Sequence, residues 1–217
     1  MPPRTAWGMW WASWASLTGS RGAGVGELEL TLRPRVPMGY LVALPAVASL
    51  GVMDALVDAG NSEAGLLWPR DVALVPAGRP AFELDGRGGY DDGGVFVRLA
   101  IRRTLGDGDD AAMPDDAAMP DDAAIERAVR ERVSTWEGDV AAGRSAGGPW
   151  AAFLPDYFDH ELRMGREVEV TYPNGRVMAR GRLAGFDIWG RATVVDESGH
   201  ELEFSAEQAL LRSPDRE

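Results

Sequence analysis

The chain has 217 residues, of which 45% are hydrophobic and 26% are charged, and its formal net charge at pH 7 is −12. This acidic balance argues against nucleic acid as a partner, because binding a phosphate backbone needs a positive surface. Cysteine is absent, which excludes disulfides, thiolate metal sites and a cysteine nucleophile. The only histidines, His160 and His200, lie far apart in sequence, so a histidine-based metal site is not expected.

The N-terminal segment is rich in tryptophan. Residues Trp7–Leu17 (WGMWWASWASL) are apolar, but the run is about half as long as a membrane span requires. A signal peptide is the alternative interpretation. Trp7, Trp10, Trp11 and Trp14 fall on one side of a helix, which predicts either a helix packed on a sheet or an exposed patch that binds a partner.

A strand and a helix are predicted next. Residues Glu27–Arg33 (ELELTLR) alternate, so the leucines share one face of a strand. Residues 36–53 are uncharged, but Pro45 interrupts them and favours the first turn of a helix. We therefore predict a buried helix over Pro45–Val57 rather than a membrane span, in a cytoplasmic protein.

Further strands follow this helix. They are predicted at Ala64–Leu67, Val72–Val75 and Gly94–Ile101, with a turn-rich stretch over Asp85–Gly94. A strand, a helix, several strands and then helices indicate the α+β class, with a mixed sheet covered by helices on one face.

Residues 106–122 interrupt the pattern with a tandem acidic repeat. DDAAMP begins at Asp109 and again at Asp115, and DDAAIE begins at Asp121. We predict an exposed loop, because the repeat has no core-forming residues and added loop length costs little free energy. A calcium loop is disfavoured because the central glycine and terminal glutamate of an EF-hand are missing.

Two helices are predicted after the repeat. The first covers Ala123–Trp136 and the second covers Pro149–Met164, with a glycine-rich loop over residues 143–148 between them. Four residues of the first helix form one apolar stripe: Ile125, Val129, Val133 and Trp136.

The C-terminal residues read as short strands separated by turns. The turns are expected at Pro173–Gly175, Trp189–Gly190 and Ser198–Gly199. About fifty residues of this kind are typical of a small SH3-like β-barrel. We therefore predict an α+β domain over residues 1–164 and an SH3-like barrel over residues 165–217.

Three C-terminal motifs resemble those of biotin-protein ligases. The family's G-x-x-V-x-V strand matches Gly165–Val170, its G-x-A-x-G-I-D-x-x-G motif matches Gly181–Gly190 (GRLAGFDIWG), and its final L-R-S matches Leu211–Ser213. Within the second motif, Gly185 and Gly190 are expected at turns or close approaches.

The N-terminal part carries two further matches. A strand closing at Leu32–Pro34 leads into an apolar helix, and Leu67–Asp71 (LWPRD) stands where the family has K-W-P-N-D. The resemblance thus covers Gly26–Ser213. It implies the family's α+β catalytic domain, partial at its N-terminus, followed by a small C-terminal barrel.

Members of this family join biotin to ATP and pass the biotinyl group to a lysine of a carrier protein. Bringing a carboxylate against a triphosphate needs cations and oriented donors. The resemblance implies substrate or nucleotide binding by Trp68, Asp71, Gly185 and Arg212. It also implies a biotin carrier protein or a biotin-dependent carboxylase subunit as partner.

Several family positions are changed at the expected pocket. Residues 1–20 lack the family's Gly-Arg-Gly-Arg loop, Leu67 replaces the signature lysine and Arg70 replaces the asparagine. Arg79 is a candidate substitute for a second lysine. The family's G-x-G-x-N strand is Arg98–Arg102 (RLAIR), whose side chains hinder close backbone approach to a ligand.

Alternative roles remain open for the matched and changed residues. Trp68 can be retained for packing and Asp71 for capping a turn. Arg98, Arg102 and Arg103 can line a remodelled anionic pocket, although arginines at a strand end are more often solvated.

Two functions are compatible with this sequence. The first is a catalytically degenerate ligase-like protein that acts by binding a ligand or a partner protein, with no tightly bound cofactor. The second is an active ligase that uses Arg79, Arg98 and Arg212 as cations. Biotin and ATP with magnesium are expected as ligands only in the second case.

Overall fold

The computed structural model describes residues 26–75, 80–104 and 119–214. Within these ranges the strands form two five-stranded sheets. The first sheet has the order β1-β5-β4-β3-β2, and its strands are β1 Glu27–Leu32, β2 Ala64–Leu67, β3 Asp71–Leu74, β4 Pro80–Asp91 and β5 Gly94–Arg103. The second has the order β10-β6-β7-β8-β9, and its strands are β6 Glu167–Thr171, β7 Val177–Phe186, β8 Ala192–Val195, β9 Glu201–Phe204 and β10 Leu210–Arg212.

The helices cover one face of the first sheet. They are α1 Leu44–Asp58, α2 Asp122–Ala141 and α3 Leu154–His160, and a 3-10 helix, Met38–Ala43, runs directly into α1. Helix α1 contacts β2, β3 and β4 on one side and α2 on the other, so nearly all its side chains are buried. The α+β prediction is confirmed, whereas the predicted mixed sheet is antiparallel in every described strand pair.

Helix α1 is apolar because it lies between two layers. Met38–Asp58 is long and apolar enough to cross a membrane by length and composition, but 78% of its most apolar window is buried inside the protein. Gly51 allows α2 to approach closely, since a Cβ there would lie 2.6 Å from the Cα of Val129. The buried helix predicted over Pro45–Val57 is confirmed.

Helix α2 follows its predicted stripe. Its four buried residues are the four expected ones, Ile125, Val129, Val133 and Trp136. The helix begins after Asp121, whose carboxylate accepts a hydrogen bond from the amide of Ala124 at 2.7 Å, as an N-cap residue does. It is longer than predicted at its C-terminus, where it continues to Ala141.

Two further sequence predictions are wrong. The stretch Asp85–Gly94 is not a series of turns, because β4 continues to Asp91 and pairs with β5 along its whole length. Gly86, Gly88 and Gly89 are strand residues, and only Asp92 and Gly93 form a turn. A Cβ at Gly89 would meet the ring of Phe96. Similarly, the helix predicted from Pro149 begins only at Leu154, after a series of turns.

Candidate functional site

The first sheet has a buried inner face against α1 and a polar face that we call the outer face. Alternation along the strands puts leucine, isoleucine and valine inside and charged residues outside. The outer face carries Arg33, directly after β1, and these residues of β1, β4 and β5: Glu27, Glu29, Thr31, Glu83, Asp85, Arg87, Phe96, Arg98, Ala100 and Arg102. This face carries Arg98 and Arg102, which stand at changed positions of the family's G-x-G-x-N strand.

Arg102 is held by ion pairs at one end of the outer face. It lies between Glu27 of β1 and Glu83 of β4, which are its register partners on the two neighbouring strands. Its guanidinium is 3.7 Å from the Glu27 carboxylate and 3.4 Å from that of Glu83. The position at which the family has asparagine is therefore occupied by a cation whose charge is already offset.

The other end of the outer face combines arginines with an aromatic ring. Arg98 pairs in register with Arg87. The guanidinium carbons of Arg33 and Arg98 lie 5.4 and 5.6 Å from the ring centre of Phe96, within cation–π range. Arg33 also forms an ion pair of 2.7 Å with Asp91, so its charge is partly offset.

Trp68 joins the first sheet to the second. Its side chain is 2% exposed, and its indole Nε1 donates to the carbonyl of Gly190 at 2.9 Å. Its backbone amide donates to Glu161 at 2.6 Å, and its peptide bond to Pro69 is cis. Trp68 is therefore buried and hydrogen-bonded within the protein, which agrees with the alternative role in packing.

A buried ion pair lies next to this contact between the two sheets. Glu161 and Arg163 are within 2.8 Å, with side chains 0% and 8% exposed. Arg163 also donates to the carbonyls of Leu211 at 2.6 Å and Trp68 at 3.3 Å. Burial raises the pKa of Glu161 above its usual range, and Arg163 opposes that shift. These bonds tie both sheets to the segment between α3 and β6.

The hydroxyl of Tyr157 lies beside this pair. It is fully buried and has no hydrogen-bond partner among the described residues. Burial raises the pKa of Tyr157 well above its usual range, and the charge of Glu161 acts in the same direction. The phenol therefore remains neutral.

Asp71 begins β3 and is the cross-strand partner of Leu67. Its carboxylate accepts a hydrogen bond of 3.4 Å from the amide of Leu84. Burial raises the pKa of Asp71 to about 7; Arg70 opposes the shift and Glu83 adds to it. Asp71 therefore exchanges a proton near neutral pH.

Asp71→Asn should make the protein more stable at alkaline pH. The folded protein keeps the Asp71 proton up to a pH of about 7, whereas the unfolded chain loses it near 3.8. Stability is consequently lost as the pH rises through this window. We expect the variant to exceed the wild type by on the order of 2 kcal/mol at pH 8 and by little at pH 4, in urea unfolding. Asp92→Asn, in the exposed β4–β5 turn, controls for net charge; an equal effect there would contradict the assignment.

A cavity of about 340 Å³ lies where the second sheet meets the N-terminal end of α1, and we call it the junction cavity. It is walled by the 3-10 helix and α1, by the turn after Trp68, and by two loops of the second sheet. Its lining residues are Gly39, Val42, Pro45, Ala46, Pro69, Arg70, Trp150, Trp189, Gly190, Arg191, Ser205, Ala206 and Glu207.

The turn over residues 187–191, at one wall of the junction cavity, is fixed by hydrogen bonds and by a close contact. Asp187 accepts hydrogen bonds from the amides of Trp189 at 2.9 Å and Arg191 at 2.8 Å, as expected for a residue that bonds its own turn. Gly190 has a φ of 80°, and a Cβ there would collide with the indole of Trp150. The close approach predicted for Gly190 is therefore observed.

The predicted site residues do not meet at one place. Gly185 lies inside β7 at a register shift, and a Cβ there would make only an ordinary contact with Phe158, so no close approach is needed. Arg212 is exposed in β10 opposite Glu169. Arg79 lies outside the described residues. Roles for these residues, and for Trp68 and Asp71, in ligand binding stay predictions.

Sequence reasoning missed the residues that join the two sheets. Tyr157, Glu161 and Arg163 carry no family motif, and Trp150 and Trp189 approach the cavity from separate segments. The sequence contains one weak indication of this ion pair: Glu161 and Arg163 are separated by one residue in an aromatic-rich segment.

Solved structures share this arrangement. The apo biotin protein ligase from Aquifex aeolicus superposes with a TM-score of 0.60 at 19% identity, covering 86% of this chain and 81% of that one. This chain has a biotin protein ligase-like fold. The same Aquifex enzyme in complex with biotin and ATP gives a TM-score of 0.61, also at 19% identity, over 86% of this chain and 77% of that one.

A second ligase-like protein also matches. It is a biotin protein ligase-like protein of unknown function from Silicibacter sp. TM1040, with a TM-score of 0.58 and 17% identity over 82% of this chain and 77% of that one. No family model and no curated protein matches the sequence. The ligase-like fold predicted from the separated motifs is confirmed, and identities this low establish the fold alone.

Proposed function

We propose that this ligase-like protein is catalytically degenerate and acts by binding a ligand or a partner protein. The observation that carries the proposal is the ion-pair row Glu27–Arg102–Glu83 on the outer face. By resemblance, ligases present glycine, glycine and asparagine on that strand. Here two arginines and an alanine stand there, and Arg102 is neutralised on both sides.

The described residues of the outer face do not fit ATP with magnesium. A triphosphate needs uncompensated cations, whereas Asp85 lies 3.5 Å from Arg70 and 3.6 Å from Arg87. The signature lysine is replaced by Leu67, which is 7% exposed and carries no charge.

The architecture supports a partner-binding role. We infer that residues 1–164 form one domain and residues 165–217 a second one, an SH3-like barrel, since the strand order β10-β6-β7-β8-β9 is the order of an SH3 sheet. By analogy with ligases, a biotin carrier protein or carboxylase subunit is the proposed partner, in the cytoplasm. Neither nucleic acid nor a membrane is expected as a partner.

A biotin-transfer assay tests this proposal. The full chain, ATP, magnesium, labelled biotin and a biotin carrier domain are incubated, with the Aquifex aeolicus ligase as positive control. We expect no transfer above the enzyme-free background, because Leu67 replaces the signature lysine and the charge of Arg102 is offset by Glu27 and Glu83.

Robust transfer would overturn the proposal. If transfer then falls in Arg79→Ala, Arg98→Ala and Arg212→Ala, those residues supply the cations and the chain is an active ligase. Transfer that is unaffected by all three changes would equally reject degeneracy and would assign the chemistry to other residues.

A further inference from the structure

The junction cavity has the size and the walls of a small-molecule site. Its volume of about 340 Å³ falls within the usual range for ligand pockets, about 300–1,000 Å³. Its walls include two indoles and two proline rings, from Trp150, Trp189, Pro45 and Pro69. Such walls suit a flat apolar group, so the charged lining residues decide which kind of ligand the cavity accepts.

Both arginines that line the cavity are already paired with carboxylates. Arg70 lies 3.5 Å from Asp85. Arg191 lies 2.6 Å from Asp187 and 2.8 Å from Glu203. An anionic ligand would have to compete with these three carboxylates for its contacts, so the lining does not favour an anion.

Glu207 is the carboxylate that lines the cavity. The residue is exposed, and no ion pair or hydrogen bond joins its side chain to another described residue. Arg87 shares Asp85 with Arg70, so the charged lining residues and their ion-pair partners amount to three arginines and four carboxylates. This balance is negative, in a chain whose net charge is −12, and it favours a cation.

The indole of Trp189 is a second feature that suits a cation. Trp189 lies at the tip of a turn and is 53% exposed. Its backbone amide donates to Asp187 at 2.9 Å, which helps to fix the turn. Among the described residues no arginine lies over its ring, whereas Arg176 lies over the ring of Tyr172 at 4.6 Å. Since tryptophan is the aromatic side chain that attracts cations most strongly, its ring and the Glu207 carboxylate favour the same kind of ligand.

We propose that the junction cavity binds an organic monocation with a flat apolar body. The positive group contacts the ring of Trp189 and the carboxylate of Glu207, and the apolar body lies against Pro45 and Pro69. This site specifies the ligand chemistry of the proposed binding function and rests on that function only for its biological purpose. Neither lining arginine has to leave its carboxylate partner for such a ligand to bind.

The test uses two probes with the same ring and opposite charges. Trimethyl(2-naphthyl)ammonium and 2-naphthalenesulfonate are titrated into the full chain by isothermal calorimetry at low ionic strength. We expect the ammonium to bind at one site and the sulfonate to bind at least about tenfold more weakly. Added sodium chloride should weaken ammonium binding, because salt screens the exposed carboxylate.

Three variants test the two contacts with the positive group. Glu207→Gln should weaken ammonium binding about threefold, because one exposed charge pair is lost. Trp189→Ala should weaken it about fivefold, because the cation–π contact is lost. Glu207→Asp keeps the negative charge and should bind the ammonium more tightly than Glu207→Gln does.

Matched controls separate a specific site from general attraction to an acidic protein. Glu201→Gln removes an exposed carboxylate at the start of β9 that does not line the cavity. Tyr90→Ala removes an aromatic residue that is 79% exposed and lies outside the cavity lining. Both controls should bind the ammonium as the wild type does. Circular dichroism and thermal melting establish that each variant is folded.

Several outcomes would overturn the site. These are no ammonium binding at millimolar concentration, equal or tighter binding of the sulfonate, and equal losses in Glu207→Gln and Glu201→Gln. The biotin-transfer assay is read separately. Transfer together with ammonium binding rejects degeneracy and keeps the cavity, whereas no transfer and no binding keeps degeneracy and rejects the cavity.

Discussion

Replacing Gly51 with alanine should lower the free energy of unfolding by about 2–3 kcal/mol, as expected for overpacking a close contact. An added Cβ would lie 2.6 Å from the Cα of Val129 and 2.9 Å from the carbonyl oxygen of Ala128. Both are backbone atoms of α2, so no side chain can rotate away and the two helices must separate. Urea unfolding followed by circular dichroism measures the loss.

Gly138→Ala is the matched control for this change. Gly138 also lies inside a helix, α2, but a Cβ there would meet nothing within 4 Å. Because alanine is the better helix former, this variant should gain roughly 0.5–1 kcal/mol. If both substitutions shifted stability in the same direction and by similar amounts, the close contact between α1 and α2 would be refuted.

Replacing Arg163 with methionine should cost about 3–5 kcal/mol, as does removing one partner of a buried ion pair. The change leaves the Glu161 carboxylate, whose side chain is 0% exposed, without its cation. It also removes the donors to Leu211 and Trp68 that hold the two sheets together. Chemical unfolding at pH 7 measures the cost.

A double variant and a surface variant distinguish loss of the buried ion pair from loss of any arginine. Glu161→Gln with Arg163→Met removes the buried charge and should recover part of the loss. Arg166→Met, at an exposed arginine three positions away, should change stability by less than about 0.5 kcal/mol. A loss at Arg163 no larger than at Arg166 would show that the pair contributes nothing to stability.

The regular elements could be predicted where one local rule dominated. The stripe of Ile125, Val129, Val133 and Trp136 was visible because α2 packs on one side, and its period of 3.6 residues survives in the sequence. The alternation of β1 was visible because only one face of its sheet is buried. In both elements burial on a single side left a readable pattern.

Strand β4 could not be predicted because its glycines are required by contacts with residues that are distant in sequence. Gly86 faces Pro45 of α1, where a Cβ would lie 2.8 Å from the proline Cγ, and Gly89 lies under the ring of Phe96. Locally these glycines look like turn residues. Their strand conformation depends on partners that are distant in sequence.

The candidate site was only partly predictable for the same reason. The changed positions Leu67, Arg70 and Arg102 were identified from motif spacing, because the spacing survives within short segments. The glutamates that neutralise Arg102 come from β1 and β4 and have no motif. The junction cavity combines segments from both sheets, and their meeting depends on the buried pair of Glu161 and Arg163.

The ion-pair row on the outer face couples three positions of the sheet. Changing Arg102 alone to asparagine would leave Glu27 and Glu83 facing each other across β5 with no cation between them. The effect of a substitution at position 102 therefore depends on which residues stand at positions 27 and 83, so the three positions are epistatic.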